Sequence, residues 1–167
     1  MIICSTFDET SPSAFDPELE KITLEQVVER LRKPSGSGMG ATPDLGDKAA
    51  AVVEAYGKVF PGLKPIDILC LIGSQPRRQA AITLADAKAK QPSGAYLAWF
   101  GWRPPLFANR LRAFHCIDIC FWFYNTDLML THTGGGARPR RLATTMAGQL
   151  LQFMKTGDPN GGGLPNW

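Results

Sequence analysis

Two neighbouring acids and one histidine carry the clearest chemistry in this sequence. Asp8 and Glu9 stand just after the apolar run Met1-Ile-Ile-Cys4. His115 follows a longer apolar run, Ala95–Trp102, by way of a loop. In open α/β sheets, ligands and catalytic groups gather beyond the carboxyl ends of the strands. If both runs are strands, a carboxylate and an imidazole meet there as an acid–base pair. Plainer uses compete with this one: an isolated histidine is more often structural, and an Asp-Glu pair is usually a solvated turn. Spacing alone leaves these readings open.

Other reactive side chains form no comparable group. Cys4, Cys70, Cys116 and Cys120 follow no paired metal spacing, and two histidines do not complete a zinc set. No metal and no cofactor are expected. Four cysteines in 167 residues are too few for a disulfide scaffold, and three of them lie in apolar runs. Buried free thiols of that kind favour a reducing compartment such as the cytoplasm. The short basic run Arg138, Arg140 and Arg141 sits where a helix starts and reads as a solvated helix end. With a net charge of only +3, no nucleic-acid partner is expected. No signal peptide is visible, and no apolar stretch reaches the about 18 residues that span a membrane, so no membrane partner is expected.

The chain has the length of one domain, and 44% hydrophobic against 20% charged residues is a globular composition. Met1–Cys4 suits the end of a buried strand. A helix is predicted from Thr23 to Lys33, with Leu24, Val27, Val28 and Leu31 on one face, stopped by Pro34 and a flexible Ser35–Gly40 connector. Residues 46 to 60 form the clearest helix, its face made by Ala49, Val52, Val53, Tyr56, Val59 and Phe60. A short helical piece, Ile66 to Ile72, is ended by Gly73, and a separate helix is expected from Arg77 to Lys90, with Ala81, Leu84 and Ala85 inward. Ala95–Trp102 is apolar on both alternating faces, as in a strand buried between helical layers. Arg103 to Arg112 reads as a loop. The last helix, Arg138 to Thr156, turns Leu142, Met146, Leu150 and Phe153 inward. Helices between separated apolar strands indicate α/β organisation. There is no internal repeat.

Ala113-Phe-His-Cys-Ile-Asp-Ile119 with Phe121-Trp-Phe-Tyr-Asn125 resembles the segment around the catalytic histidine of type B carboxylesterases and cholinesterases. Phe153-Met-Lys-Thr-Gly-Asp-Pro-Asn160 and Leu164-Pro-Asn-Trp167 resemble that family's Thr-Gly-Asp-Pro-Asn and Leu-Pro-x-Trp signatures. Tyr96 to Trp102 resembles the strand before the histidine loop, and Ile2 to Glu9 the strand and turn that bear the acid. The likeness keeps the family's order of landmarks over the whole length, residues 1–167. It implies a C-terminal portion of an α/β-hydrolase sheet with flanking helices. It implies carboxylic ester hydrolysis through a Ser-His-Glu triad, with His115 as general base and Glu9 as the carboxylate that orients it. Asp118 would stand behind this pair, buried and not reacting, or serve as a capping or ion-pairing group.

Departures and absences complete the expectation. Cys4 and Thr10 stand where glycines are usual around the acid turn, and Cys116 and Cys120 replace small residues or proline. The nucleophile elbow Gly-x-Ser-x-Gly does not occur; Ser37, between Gly36 and Gly38, lacks the spacing. His132-Thr-Gly-Gly-Gly136 has some likeness to an oxyanion motif but follows the histidine segment, so it reads as a loop, and His132 is expected far from the site. The serine is therefore expected on the N-terminal part of the same enzyme or on a partner chain, and these residues alone are expected to be inactive. A carboxylic ester is the expected substrate. Two other uses compete: a non-catalytic cholinesterase-like interaction module, against which the presence of both Glu9 and His115 argues, and a binding domain that self-associates. An unpaired sheet edge and exposed apolar area make self-association the physical expectation in any case.

Overall fold

The computed structural model describes residues 1–14, 16–33 and 41–167. The Ser35–Gly40 connector, with Ser37, lies outside the described residues.

Two short strands, β1 (Ile2–Thr6) and β2 (Tyr96–Phe100), pair in parallel with Ile2 opposite Tyr96 and Thr6 opposite Phe100. Among the described residues the sheet has these two strands only. Parallel neighbours need a long crossover, and the described residues between them supply three α-helices: α1 (Leu24–Arg32), α2 (Ala49–Val59) and α3 (Pro65–Ala89). After β2 come the short α4 (Ile119–Trp122) and α5 (Leu130–Thr133), then α6 (Ala137–Thr156). The result is a mixed helix and strand fold with α4 and α6 over one face of the sheet and α3 over part of the other.

Two apolar clusters hold it together. Val27 and Leu31 of α1, Ala49 and Val53 of α2, and Ile66, Leu69 and Cys70 of α3 close one of them. The other joins Phe100 to Ile117, Phe121, Ala143 and Met146, with Ile2, Cys4 and Ala98 packed against it. Alternate strand residues therefore face α4 and α6. On the opposite face, Leu97 and Trp99 border a small gap with Arg78, Ala81 and Ile82 of α3.

The helix starts follow local chemistry. Thr23 caps α1: its Oγ1 accepts from Gln26 N, and the Gln26 side chain accepts from Thr23 N. This reciprocal pair satisfies two amides that the first turn leaves free.

Several expectations need correction. The predicted break at Gly73 does not occur: α3 runs unbroken from Pro65 to Ala89, through Gly73 and Pro76. Gly73 serves close approach and not termination. A Cβ there would sit 2.9 Å from Thr10 Cγ2, so only glycine lets the acid-bearing turn lie against the helix. Leu84, expected inward, is exposed, as are Leu24, Val59 and Phe60 at the ends of their predicted faces. β2 is not buried on both faces: Leu97 and Trp99 remain 43% and 46% exposed, because α3 covers that side only in part.

Candidate active site

Beyond the carboxyl ends of β1 and β2 the chain brings the predicted acid and histidine together. His115 Nδ1 lies 2.6 Å from Glu9 Oε2. The other carboxylate oxygen, Oε1, accepts from Thr6 N at 2.8 Å, with Ser5 Oγ at 3.5 Å. Glu9 is buried and held by the end of its own strand, whereas the His115 side chain is 47% exposed. An ionised carboxylate only accepts, so the proton between them belongs to Nδ1. In the neutral ring Nε2 is then the basic nitrogen. Such a pair can take a proton from a group placed on its open side and return it.

Asp8, the other acid of the pair, turns the opposite way. It is fully buried. Its Oδ2 accepts from Ala113 N at 3.1 Å, and its own N–H donates to Ala113 O at 3.1 Å. Arg103 Nη2 lies 3.2 Å from the same Oδ2.

The comparisons with known proteins agree on the kind of enzyme this resembles. No family model matches the chain. A phenmedipham hydrolase from Pseudarthrobacter oxydans is 32% identical over 177 aligned residues, which cover all of this chain and 32% of the relative. The chain thus spans about a third of the length of the curated relative it matches. Among solved structures, an esterase from Clostridium hathewayi, described as able to hydrolyse aliphatic aromatic polyesters, superposes with a TM-score of 0.57 at 27% identity, over 99% of this chain and 30% of that one. A PNB esterase follows at 0.54 and 18% identity, over 98% of this chain and 30% of its own, a likeness of fold alone. The chain is thus similar in sequence to a hydrolase and an esterase and in fold to both esterases, a carboxylesterase-like relationship at the coarse level.

Against that relationship the remaining predicted residues can be placed. Asp118 stands at the start of α4, where its Oδ2 accepts from Trp122 Nε1 at 3.2 Å. It neighbours Cys4: burial first, and the Asp118 charge second, push that thiol up to about 12. Cys70 and Cys120 are raised to about 12 and about 11, in each case chiefly by burial. Cys116, the exposed neighbour of His115, is also raised, again by burial ahead of the Asp118 and Glu9 charges. None of these thiols is primed as a nucleophile. Thr10 is buried against Gly73, and its N–H donates to Ser74 Oγ at 3.0 Å.

His132 differs from its expectation in two ways. It lies on α5 and not in a loop, and its ring packs 5.0 Å from that of Phe114, the residue before His115. It is nearer the histidine segment than expected, although its own hydrogen-bond partner is Thr131. Burial holds its pKa below the usual range. Gly134 keeps the following turn open, since a Cβ there would run into Pro105. The basic run ends at the surface as expected: Arg140 pairs with Asp127, and Arg138 lies over the Trp102 ring.

What the sequence reading missed is the charge network beneath the histidine loop. Arg112 is buried, with Nη1 2.6 Å from Glu20, Nε 2.9 Å from Asp67 and Nη1 2.6 Å from Ser13 Oγ. Burial alone would lower its pKa, but Glu20, Cys70 and Asp67 hold it above the ordinary range. Arg103 bridges Asp67 and Asp8. Arg112 and Cys116, on either side of His115, take left-handed backbone at φ 53° and 67°. That conformation is disfavoured for residues with a Cβ. The one signal in the sequence was three arginines, Arg103, Arg110 and Arg112, in a loop otherwise rich in proline and apolar residues.

Proposed function

We propose that this chain supplies the general base and its orienting acid to a carboxylic ester hydrolase. The observation that carries the reading is the His115–Glu9 pair: a 2.6 Å hydrogen bond from the His115 ring Nδ1 to the buried Glu9 carboxylate, with the ring half exposed. Relationship to a hydrolase and an esterase supports it. The serine nucleophile lies on a segment outside these residues, on the N-terminal part of the same enzyme or on a partner chain. His115 Nε2 takes the serine proton as the hydroxyl attacks the ester carbonyl, then gives it to the departing alcohol. An acyl-serine remains, and water attacks it with the same histidine as base. Glu9 holds the Nδ1–H tautomer and stabilises the imidazolium formed in each half. Asp118 stands behind this pair, accepting from Trp122 of α4 and placed beside Cys4 on the strand that leads to Glu9.

By the same reading the 167 residues alone should release p-nitrophenol from short acyl esters no faster than buffer. The longest natural polypeptide carrying them should turn these esters over and be blocked by a serine-directed organophosphate. Organophosphate-sensitive turnover by the 167 residues alone would contradict the placement of the nucleophile. Absence of turnover by the natural polypeptide would contradict the function and favour an interaction module. We further propose association through the incompletely covered sheet face at Leu97 and Trp99 and the exposed Phe123 and Tyr124. Large apolar side chains left in water each forgo about 1.5–3 kcal/mol. Light scattering showing a monodisperse monomer at micromolar concentration would defeat that part.

A further inference from the structure

We infer that Asp8 is a positioning residue for His115, acting through the backbone of Ala113. The inference rests on the reading of His115 as the general base. Asp8 and Glu9 are consecutive, and they hold the histidine segment at two levels. Glu9 holds the ring, at 2.6 Å from Nδ1. Asp8 holds the chain two residues earlier, through both polar groups of one residue: Ala113 N donates to its carboxylate, and Ala113 O accepts from its N–H. Only Phe114 separates that anchor from the ring-bearing residue.

Three features make the anchor consequential. The Asp8 carboxylate is fully buried, so no water competes for the Ala113 amide. Its charge is matched by Arg103, 3.2 Å from Oδ2. The segment it holds is bounded by Arg112 and Cys116 in left-handed backbone, a path kept only when the surroundings impose it. Released at Ala113, the segment has reason to relax. A shift of about 1 Å is enough to spoil a catalytic geometry, and hydrogen bonds weaken steeply with misalignment.

The test uses the natural polypeptide labelled with ¹⁵N at alanine and histidine. In the wild type, the Ala113 amide should exchange with solvent about 100-fold more slowly than an open loop amide, and the His115 Nδ1 proton should give a downfield resonance. Asp8→Ala should abolish that resonance and lower kcat by about 100-fold, with KM nearly unchanged. Asp8→Asn, which keeps an oxygen for Ala113 N, should recover most of both. If Asp8→Ala fails to fold, the wild-type exchange rate and the Asp8→Asn resonance decide the matter. An Ala113 amide exchanging like a solvated loop would overturn the inference. So would an unchanged ring resonance in folded Asp8→Ala, or equal loss in Asp8→Asn, which would move the role to the Arg103 ion pair. Absence of ester turnover would sink the functional reading, while exchange and resonance would still decide the role of Asp8.

Discussion

The three-helix region of α1, α2 and α3 and the segment from Gly101 to Thr126 are held by different forces. In the first, Val27, Leu31, Ala49, Ile66 and Leu69 lose all or nearly all contact with water, and the backbone follows ordinary helices. In the second, α4 is a single turn, five non-glycine residues from Phe107 to Cys116 have positive φ, and buried charges tie the loop down. Apolar burial is non-directional and tolerant; an ion network is directional, and fails badly when one member is removed. The candidate site sits on the second kind of support. A histidine that must meet a carboxylate at 2.6 Å needs directional fixing.

Breaking the charge network should cost most. Arg112→Met would leave Asp67 and Glu20 without their main cation, and removal of one partner from a buried pair costs about 3–5 kcal/mol. Chemical denaturation should show that loss, accompanied by exposure of the histidine loop to proteolysis. Leu31→Ala, in the helical region, should cost about 2–5 kcal/mol through lost burial and a cavity. It should leave the His115 ring resonance unchanged, so that stability and site geometry separate. At the seam between the regions, Gly73→Ala should cost about 1–3 kcal/mol through overpacking on Thr10, despite a better helix former. The double change with Thr10→Ser should recover part of it, as a thermal melt of the pair would show.

The smallest expected effect is one of pH. Burial raises the Glu20 pKa, but hydrogen bonds from Arg112 and Ser13 and the Arg112 charge outweigh it, so the folded pKa lies below the ordinary glutamate value of 4.5. A depressed folded pKa gives stability that is present above the unfolded value and lost as pH falls through the folded one. Stability should therefore decline below about pH 4.5, and Glu20→Gln should flatten that decline. An unchanged slope would remove Glu20 from the network.

The same contrast explains what could be read from the sequence. Periodicity marked α1, α2 and α6, because Val27, Leu31, Val53 and Met146 repeat at helical spacing along elements held by apolar burial. β1 was legible as an apolar run that ends in polar groups; strand ends alone left the acid–histidine pairing open, and the choice of Glu9 over Asp8 came from the family resemblance. The continuity of α3 was not: Gly73 and Pro76 are stop signals locally, and the use of Gly73, room for Thr10, depends on a residue far away in sequence. The side-chain partners of Arg112 lie 45 to 99 residues away, and left-handed Arg112 and Cys116 carry no compositional mark. Ala95–Trp102 was legible as a strand but not for its exposure, since burial of a face depends on what packs there.

The central claim is that His115 moves the proton in ester hydrolysis. Rapid mixing of the natural polypeptide with a p-nitrophenyl ester measures it most directly, as the first-turnover burst of p-nitrophenol. The wild type should show a burst, and folded His115→Gln should acylate slower by about 10⁴. Bursts of equal rate in the two would contradict the account.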